Sequence, residues 1–390
     1  MYQGNIQEIK DMVVPNPAET IAEIQAGFDD NSATDYRRFY KDIIVSQHLL
    51  RVRYEPTNMG EWTLMDLTAA NLGVGIMKEH AHKQLAERLK IPYRFYARKM
   101  EENPRQLERL VNEELERPTA RVYKDKEAGE RERFHYRDKR DDKKVLLRLE
   151  KTVTAEVRAY LSDKYRCIDH IEVASKVVPV LADMGFEIRS AGVTNERMYI
   201  KATSPRQAIE ADVDDIVQMG VCVTNSEIGV GAFEVRPFAY RLICTNGMTA
   251  PTALAVFTQR HIGNKVNNES LLQYAEEYIR DSSGDTSRFM AELGVSIGDS
   301  KKIIIEDLTK TMEELNTVNP AVTLYPVEAQ GIARYATEEA KGGKITLWDV
   351  VNGITRYAHM EKANGDGNWN YRRATELEQF GWEICSTYKR

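Results

Sequence analysis

Val153-Thr-Ala-Glu-Val-Arg-Ala-Tyr160 alternates apolar with polar side chains, the period-two pattern of a half-buried strand. Downstream, Asp169 precedes an apolar stripe of Ile171, Ala174, Val178 and Leu181, and Glu172 stands at capping-box spacing. Gly185 stops that helix. Residues 186–190 and 197–203 read as two strands joined by a turn around Thr194, Asn195 and Glu196. In the second strand Met198, Ile200 and Ala202 face one way, and Arg197, Tyr199, Lys201 and Thr203 the other. Longer strands follow over 216–224 and 232–244, with Asn225, Gly229 and Gly231 marking their turn. Strand, helix, strand, strand predicts an α+β fold: a mainly antiparallel central sheet with packed helices.

Residues 1–40 read as an acidic arm, with seven carboxylates against Lys10, Arg37 and Arg38. Pro15 and Pro17 break any long helix there, leaving a short one over 17–28. Residues 41–115 form a strand and helical-hairpin region. Its first helix carries Leu85 and Leu89 and ends at Pro92; its second carries Tyr93, Tyr96 and Met100. Residues 116–144 are the most charged part of the chain and read as a mobile loop or hairpin. The α+β core spans 145–268. The C-terminal region, 269–390, is mostly helical. Helices are expected over 252–261, 269–280, 286–293, 304–315, 347–359 and 372–385.

The 390 residues are 42% hydrophobic and 29% charged, which excludes a largely disordered chain. The net charge of −6 excludes a uniformly basic coat but not a local basic face. Four cysteines, at 167, 222, 244 and 385, have neither metal-site spacing nor the density of a disulfide scaffold. No stretch is long and apolar enough for a membrane span, and the first residues lack the pattern of a secretory signal. A cytoplasmic protein without membrane contact is expected.

Enzyme signatures are mostly absent. There is no phosphate loop, nucleophile elbow or dinucleotide fingerprint, and no cofactor is expected. His80 and His82, two apart on a helix, point away from each other and make a poor metal pair. Glu210, Asp212, Asp214 and Asp215 could hold Mg²⁺, but read better as a solvated turn. No metal is expected. Cys244, with Asn246 and His261 near it in sequence, has the residue types of a nucleophile, yet a lone cysteine ending an apolar strand is usually core.

Two windows are more informative. Residues 88–100 hold Arg88, Lys90, Arg94, Arg98 and Lys99 with Tyr93, Phe95 and Tyr96 and no acid. Cations follow phosphates and rings stack on unpaired bases; the competing reading is a helical hairpin with core aromatics and a wet basic face. Residues 235–268 contain no Asp or Glu, but hold Arg236, Arg241, Arg260, His261 and Lys265 with Phe238 and Tyr240 interleaved. Buried strands also lack acids. Together with Arg189, Arg197, Tyr199 and Lys201 they suggest a basic, aromatic sheet face of the kind that holds single strands.

The runs Glu79-His-Ala-His-Lys-Gln-Leu-Ala-Glu-Arg-Leu-Lys-Ile-Pro-Tyr-Arg-Phe-Tyr96, Val157-Arg-Ala-Tyr-Leu-Ser-Asp-Lys-Tyr-Arg166, Asn225-Ser-Glu-Ile-Gly229 and Tyr240-Arg-Leu-Ile-Cys-Thr-Asn-Gly-Met248 resemble a family of phage- and plasmid-encoded proteins of unknown function. Residues 346–357 are similar to that family's closing helix. The resemblance implies a mobile-element context and carries no catalytic residue. The order of strands and helix in 153–203 also looks like that of phage single-strand annealing proteins, a fold-level analogy.

The leading expectation is a non-enzymatic, homo-oligomeric protein that binds single-stranded DNA, or RNA, in recombination or replication. Arg189, Arg197, Lys201, Arg236, Arg241, Arg260, Lys265, Arg94 and Arg98 would meet phosphates; Tyr199, Phe238 and Tyr240 would stack bases. One alternative is a small-molecule enzyme with a pocket around Asn225–Glu227 and Cys244–Asn246. Another is a structural or anti-defence module that docks a protein on the acidic helices after residue 269.

Overall fold

The computed structural model describes residues 40–56, 60–66, 73–117, 120–124, 134–138, 143–151, 155–193, 196–212, 215–242, 246–249, 257–262, 268–281, 283–318, 322–364 and 371–388. The arm, with the short helix expected over 17–28, lies outside them apart from Tyr40.

Four strands open the described chain: β1 (Tyr40–Ser46), β2 (Leu50–Glu55), β3 (Glu61–Asp66) and β4 (Gly73–Met77). Three helices follow, α1 (Glu79–Arg88), α2 (Tyr93–Glu102) and α3 (Pro104–Glu116). The charged segment contains an antiparallel hairpin, β5 (Ala120–Lys124) with β6 (Phe134–Asp138). Strands β7 (Lys144–Lys151) and β8 (Ala155–Ser162) then complete a six-stranded sheet ordered β1-β7-β8-β4-β3-β2. Only β4 and β8 pair in parallel within it. Leu50, Val52, Leu64, Leu147 and Val157 of this sheet pack against Leu85, Tyr96, Leu107 and Val111 of the three helices.

Helix α4 (His170–Asp183) begins at the expected capping box of Asp169 and Glu172. It leads to the second sheet, built from β9 (Glu187–Val193), β10 (Met198–Asp212), β11 (Asp215–Asn225), β12 (Phe233–Arg241) and β13 (Asn246–Thr249), with β14 (Phe257–Gln259) pairing β12. The remaining described helices are α5 (Asn268–Asp281), α6 (Ser283–Ser300), α7 (Leu308–Val318), α8 (Pro326–Glu339), α9 (Leu347–Asn364) and α10 (Tyr371–Thr387). Two mostly antiparallel sheets with helices gathered in the C-terminal part make the fold α+β, as the patterning predicts.

One face of the second sheet is shared between two cores. Met198, Ile200, Val221 and Val223 pack with α4 and α5. Val217, Met219 and Ala239 pack with the C-terminal helices, around Trp348, Val351, Leu377 and Phe380.

Three expectations are corrected. A helix was expected over 252–261, but its described part, Phe257–Gln259, is a strand. The Phe257 ring lies edge-on to Phe233, and this cross-strand burial outweighs local helix propensity. Helix α8 is absent from the helices expected above; its signals are Pro326 in the first turn and Glu328, whose carboxylate accepts the Tyr325 N–H at 2.8 Å. Strand β8 is not half-buried: every residue from Val157 to Leu161 is buried, because Val157 and Tyr160 pack in the core with the three helices and Ala159 and Leu161 pack with Ile228.

Candidate functional site

Lys201, expected on an open sheet face, forms an ion pair with Glu378 of α10 and lies 5.0 Å from the Phe238 ring centroid. Arg241 grips Asp215 with two bonds, of 2.6 and 2.8 Å, and Glu339 of α8 with a third of 2.6 Å. Arg236 pairs with Glu234. Arg189 bonds Thr203 and Gln218, both at 2.8 Å, pairs with Glu187 and lies over the Tyr240 ring. Arg197 donates to the Val230 carbonyl at 2.6 Å. Tyr199 and Phe238 are buried, and burial pushes the Tyr199 phenol up to about 12. Burial also raises the Tyr240 pKa, against the pull of Arg189.

The described cations of the expected basic face are paired, Arg189, Lys201 and Arg236 on one side of the sheet and Arg241 on the other. A cation held in a low-dielectric site needs a carboxylate or several acceptors, and these cations have them. Arg260 is exposed, whereas Lys265 lies outside the described residues.

The proposed pocket rim is likewise a buried turn. Asn225, Ser226 and Glu227 have no exposed surface. Glu227 accepts from Arg158 at 3.0 Å and from the His170 backbone N–H at 2.7 Å. Its carbonyl accepts from Arg148 at 3.0 Å. Arg148, 1% exposed, also reaches Asp42 of β1 and Asp169 ahead of α4. Burial opposes its charge, but Asp169 and Glu227 hold the guanidinium well above its ordinary pKa. Asn225 Nδ2 donates to the Ile168 carbonyl and to an unprotonated His170 Nδ1, both at 2.9 Å. Tyr165 stacks on His261 and donates to the Ser226 carbonyl. Gly229, at φ 80°, lets the turn lie against Leu161 of the first sheet.

This network ties the two sheets together. Sequence reading missed Arg148 and Arg158 as its members. The available signal was a charge inside each of two apolar strand runs, which burial permits only with partners. Cys244 lies outside the described residues, as does the Asn246 side chain.

No group of three or more metal-type side chains lies together among the described residues. His82 is buried and hydrogen-bonded with Tyr96 at 2.9 Å, and His80 faces Glu196. Asp215 is taken by Arg241, Glu210 is exposed, and Asp214 lies outside the described residues. Cys167, Cys222 and Cys385 are free thiols. No described helix is long and apolar enough to cross a membrane.

The exposed cations lie elsewhere. Arg94 and Arg98 sit one turn apart on the outer side of α2. Phe95 between them is 36% exposed, with the Arg98 guanidinium 6.0 Å from its ring centroid. Tyr96, opposite, is buried in the core. Arg98 has a loose contact with Glu102 at 3.8 Å. At the hairpin tip, Arg88 and Lys90 are exposed, and Arg88 bonds the Lys144 carbonyl at 3.2 Å. Burial, then the like charges of Arg88 and Lys90, lower the Lys143 pKa, against some relief from Glu114. Among the described residues, Arg88, Lys90, Arg94, Lys143 and Lys144 form no ion pair.

No curated protein and no solved structure matches this chain significantly. A family model described as "Domain of unknown function (DUF932)" matches residues 158–379, from the second sheet-joining arginine to the last helix, and with more than half of its length so covered the chain belongs to that family.

Proposed function

We propose that the protein binds single-stranded nucleic acid, DNA in the first instance, through the helical hairpin α1–α2 rather than through the second sheet. The observation that carries this reading is the set of exposed cations Arg88, Lys90 and Arg94, unpaired among the described residues, next to the exposed ring of Phe95. Phosphates would meet the cations, and an unpaired base would stack on Phe95 beside Arg98. A double helix offers no free base face, so the ring favours single strands. The motif resemblance to phage- and plasmid-encoded proteins supports a role in recombination or replication in the cytoplasm, as a homo-oligomer along the strand.

The test is fluorescence anisotropy of a labelled single-stranded oligonucleotide over a series of salt concentrations. Engaging about four phosphates gives a slope of roughly −3 in log K against log salt. Phe95→Ala is expected to cost about 1–3 kcal/mol of binding, and Arg94→Ala to flatten the slope by about 0.7. Absence of salt-sensitive binding by the wild-type chain would overturn the reading. Equal loss on duplex and single strands in Phe95→Ala would remove the stacking role.

A further inference from the structure

Helix α1 ends in a Schellman turn. The Lys90 N–H donates to the Glu87 carbonyl at 3.0 Å, and the Ile91 N–H to the Ala86 carbonyl at 2.8 Å. This geometry places Lys90 in the left-handed region, at φ 61°. The same turn ends α4, where Gly185 takes that position at φ 75°, with N–H bonds from Gly185 to Ala182 and from Phe186 to Leu181. Glycine is the usual occupant, because a Cβ crowds the following carbonyl in this conformation. At the α1 tip a lysine takes the left-handed place that glycine takes at the end of α4.

The surroundings of Lys90 carry a second, independent cost. Arg88 is held on the Lys144 carbonyl, and Lys143 sits in the combined field of Arg88 and Lys90. Glu114, the carboxylate that relieves Lys143, is itself paired with Arg117 at 3.0 Å. Among the described residues these three like charges have no dedicated counter-ion; they repel one another, and an anion between them would relieve that repulsion. The negative end of the helix dipole favours a cation at any helix C-terminus, so it does not explain a cluster.

We infer that Lys90, Arg88 and Lys143 form a seat for one phosphodiester group, fixing the nucleic-acid backbone at the tip of the α1–α2 hairpin. This rests on the nucleic-acid reading above and goes beyond it by naming the phosphate seat and its key residue. Conformational strain and like-charge repulsion in the free protein are both offset when the phosphate binds.

Lys341 supplies an internal control. It is also exposed and left-handed, at φ 49°, just after α8. The experiment compares Lys90→Gly and Lys341→Gly in the full chain by thermal melting and by anisotropy titration with a labelled single-stranded oligonucleotide. Both substitutions should raise Tm by about 1–3 °C as the left-handed strain is released. Lys90→Gly should weaken binding roughly fivefold at low salt and flatten the salt slope by about 0.7, while Lys341→Gly leaves both unchanged.

Wild-type binding with an unaltered slope in Lys90→Gly overturns the seat and leaves the nucleic-acid reading standing. Equal losses in the two variants overturn it in favour of a diffuse field. A lower Tm in Lys90→Gly removes the strain argument and overturns it too. A wild-type chain that does not bind the oligonucleotide removes both readings.

Discussion

Glu227→Ala is expected to lower the unfolding free energy by about 3–5 kcal/mol. The carboxylate has no exposed surface and accepts from Arg158 and from the His170 backbone N–H. Removing it strands a buried guanidinium whose other carboxylate, Glu150, stands 3.5 Å away, and leaves a buried amide without its acceptor. Replacing only one partner of a buried pair costs more than the pair itself contributes, because the remaining charge keeps its desolvation penalty. Glu227→Gln should lose less, since its amide oxygen still accepts the His170 N–H. The double variant Arg158→Met/Glu227→Met should recover part of the loss, because it leaves no buried guanidinium without Glu227, while the His170 N–H still lacks its acceptor. Urea unfolding followed by circular dichroism measures all three. A loss under about 1 kcal/mol in Glu227→Ala would show that the turn is not a structural joint.

Acid should destabilise the protein steeply between pH 6.5 and about 4. Burial lowers the pKa of His82, His170 and His261 to about 4 each, from 6.5. For His170 the neighbouring Arg158 and Arg148 add to the effect and Glu227 opposes it. The folded values lie below the unfolded one, so between these limits the unfolded chain binds more protons. The stability from neutral histidine is complete above pH 6.5 and is lost as pH falls through 4. Each shift is worth about 3 kcal/mol at 1.36 kcal/mol per unit. Three such groups give a slope of about 3–4 kcal/mol per pH unit near pH 5.

The local chemistry agrees. A protonated His170 could no longer accept from Asn225 Nδ2. Burial raises the pKa of Asp169 and Glu150, against the pull of Arg148 and Arg158, and these groups act in the opposite sense. Their folded values lie above the unfolded ones, so their penalty is relieved as pH falls through the carboxylate range. Urea midpoints at pH 7.5, 6 and 5 check the prediction, and His170→Gln should flatten the slope by about one third. Equal midpoints at pH 7.5 and 5 would show that the histidines do not govern acid stability.

The elements that were legible are those written in near neighbours. The Asp169–Glu172 cap, Gly185 and the alternation through Met198–Thr203 place α4, β9 and β10 as read. The α1–α2 hairpin follows from Leu85, Leu89 and Pro92 in the same way. Reading failed where a distant strand decided the outcome. Phe257 joins β12 through a partner, Phe233, in the preceding core strand, and β8 is buried because its residues pack with helix residues such as Leu85 and Tyr96 and with Ile228. The site divides along the same line. Arg94 and Arg98 remain outward on α2, because helix periodicity alone sets Tyr96 against the core and them away from it.

What the sequence by itself determined was which residues could be charged, which faces were apolar, and where helices begin and end. These are properties of residues a few positions apart, where the backbone geometry is the same whatever the rest of the chain does. Only the tertiary structure decided which cations are available to an anion. Lys201 meets Glu378 across 177 positions, and Arg148 meets the Glu227 carbonyl across 79. Coulomb attraction and desolvation depend on separation and burial in space. A basic stretch therefore looks the same in sequence whether folding neutralises it, as in the second sheet, or leaves it exposed, as at the hairpin tip.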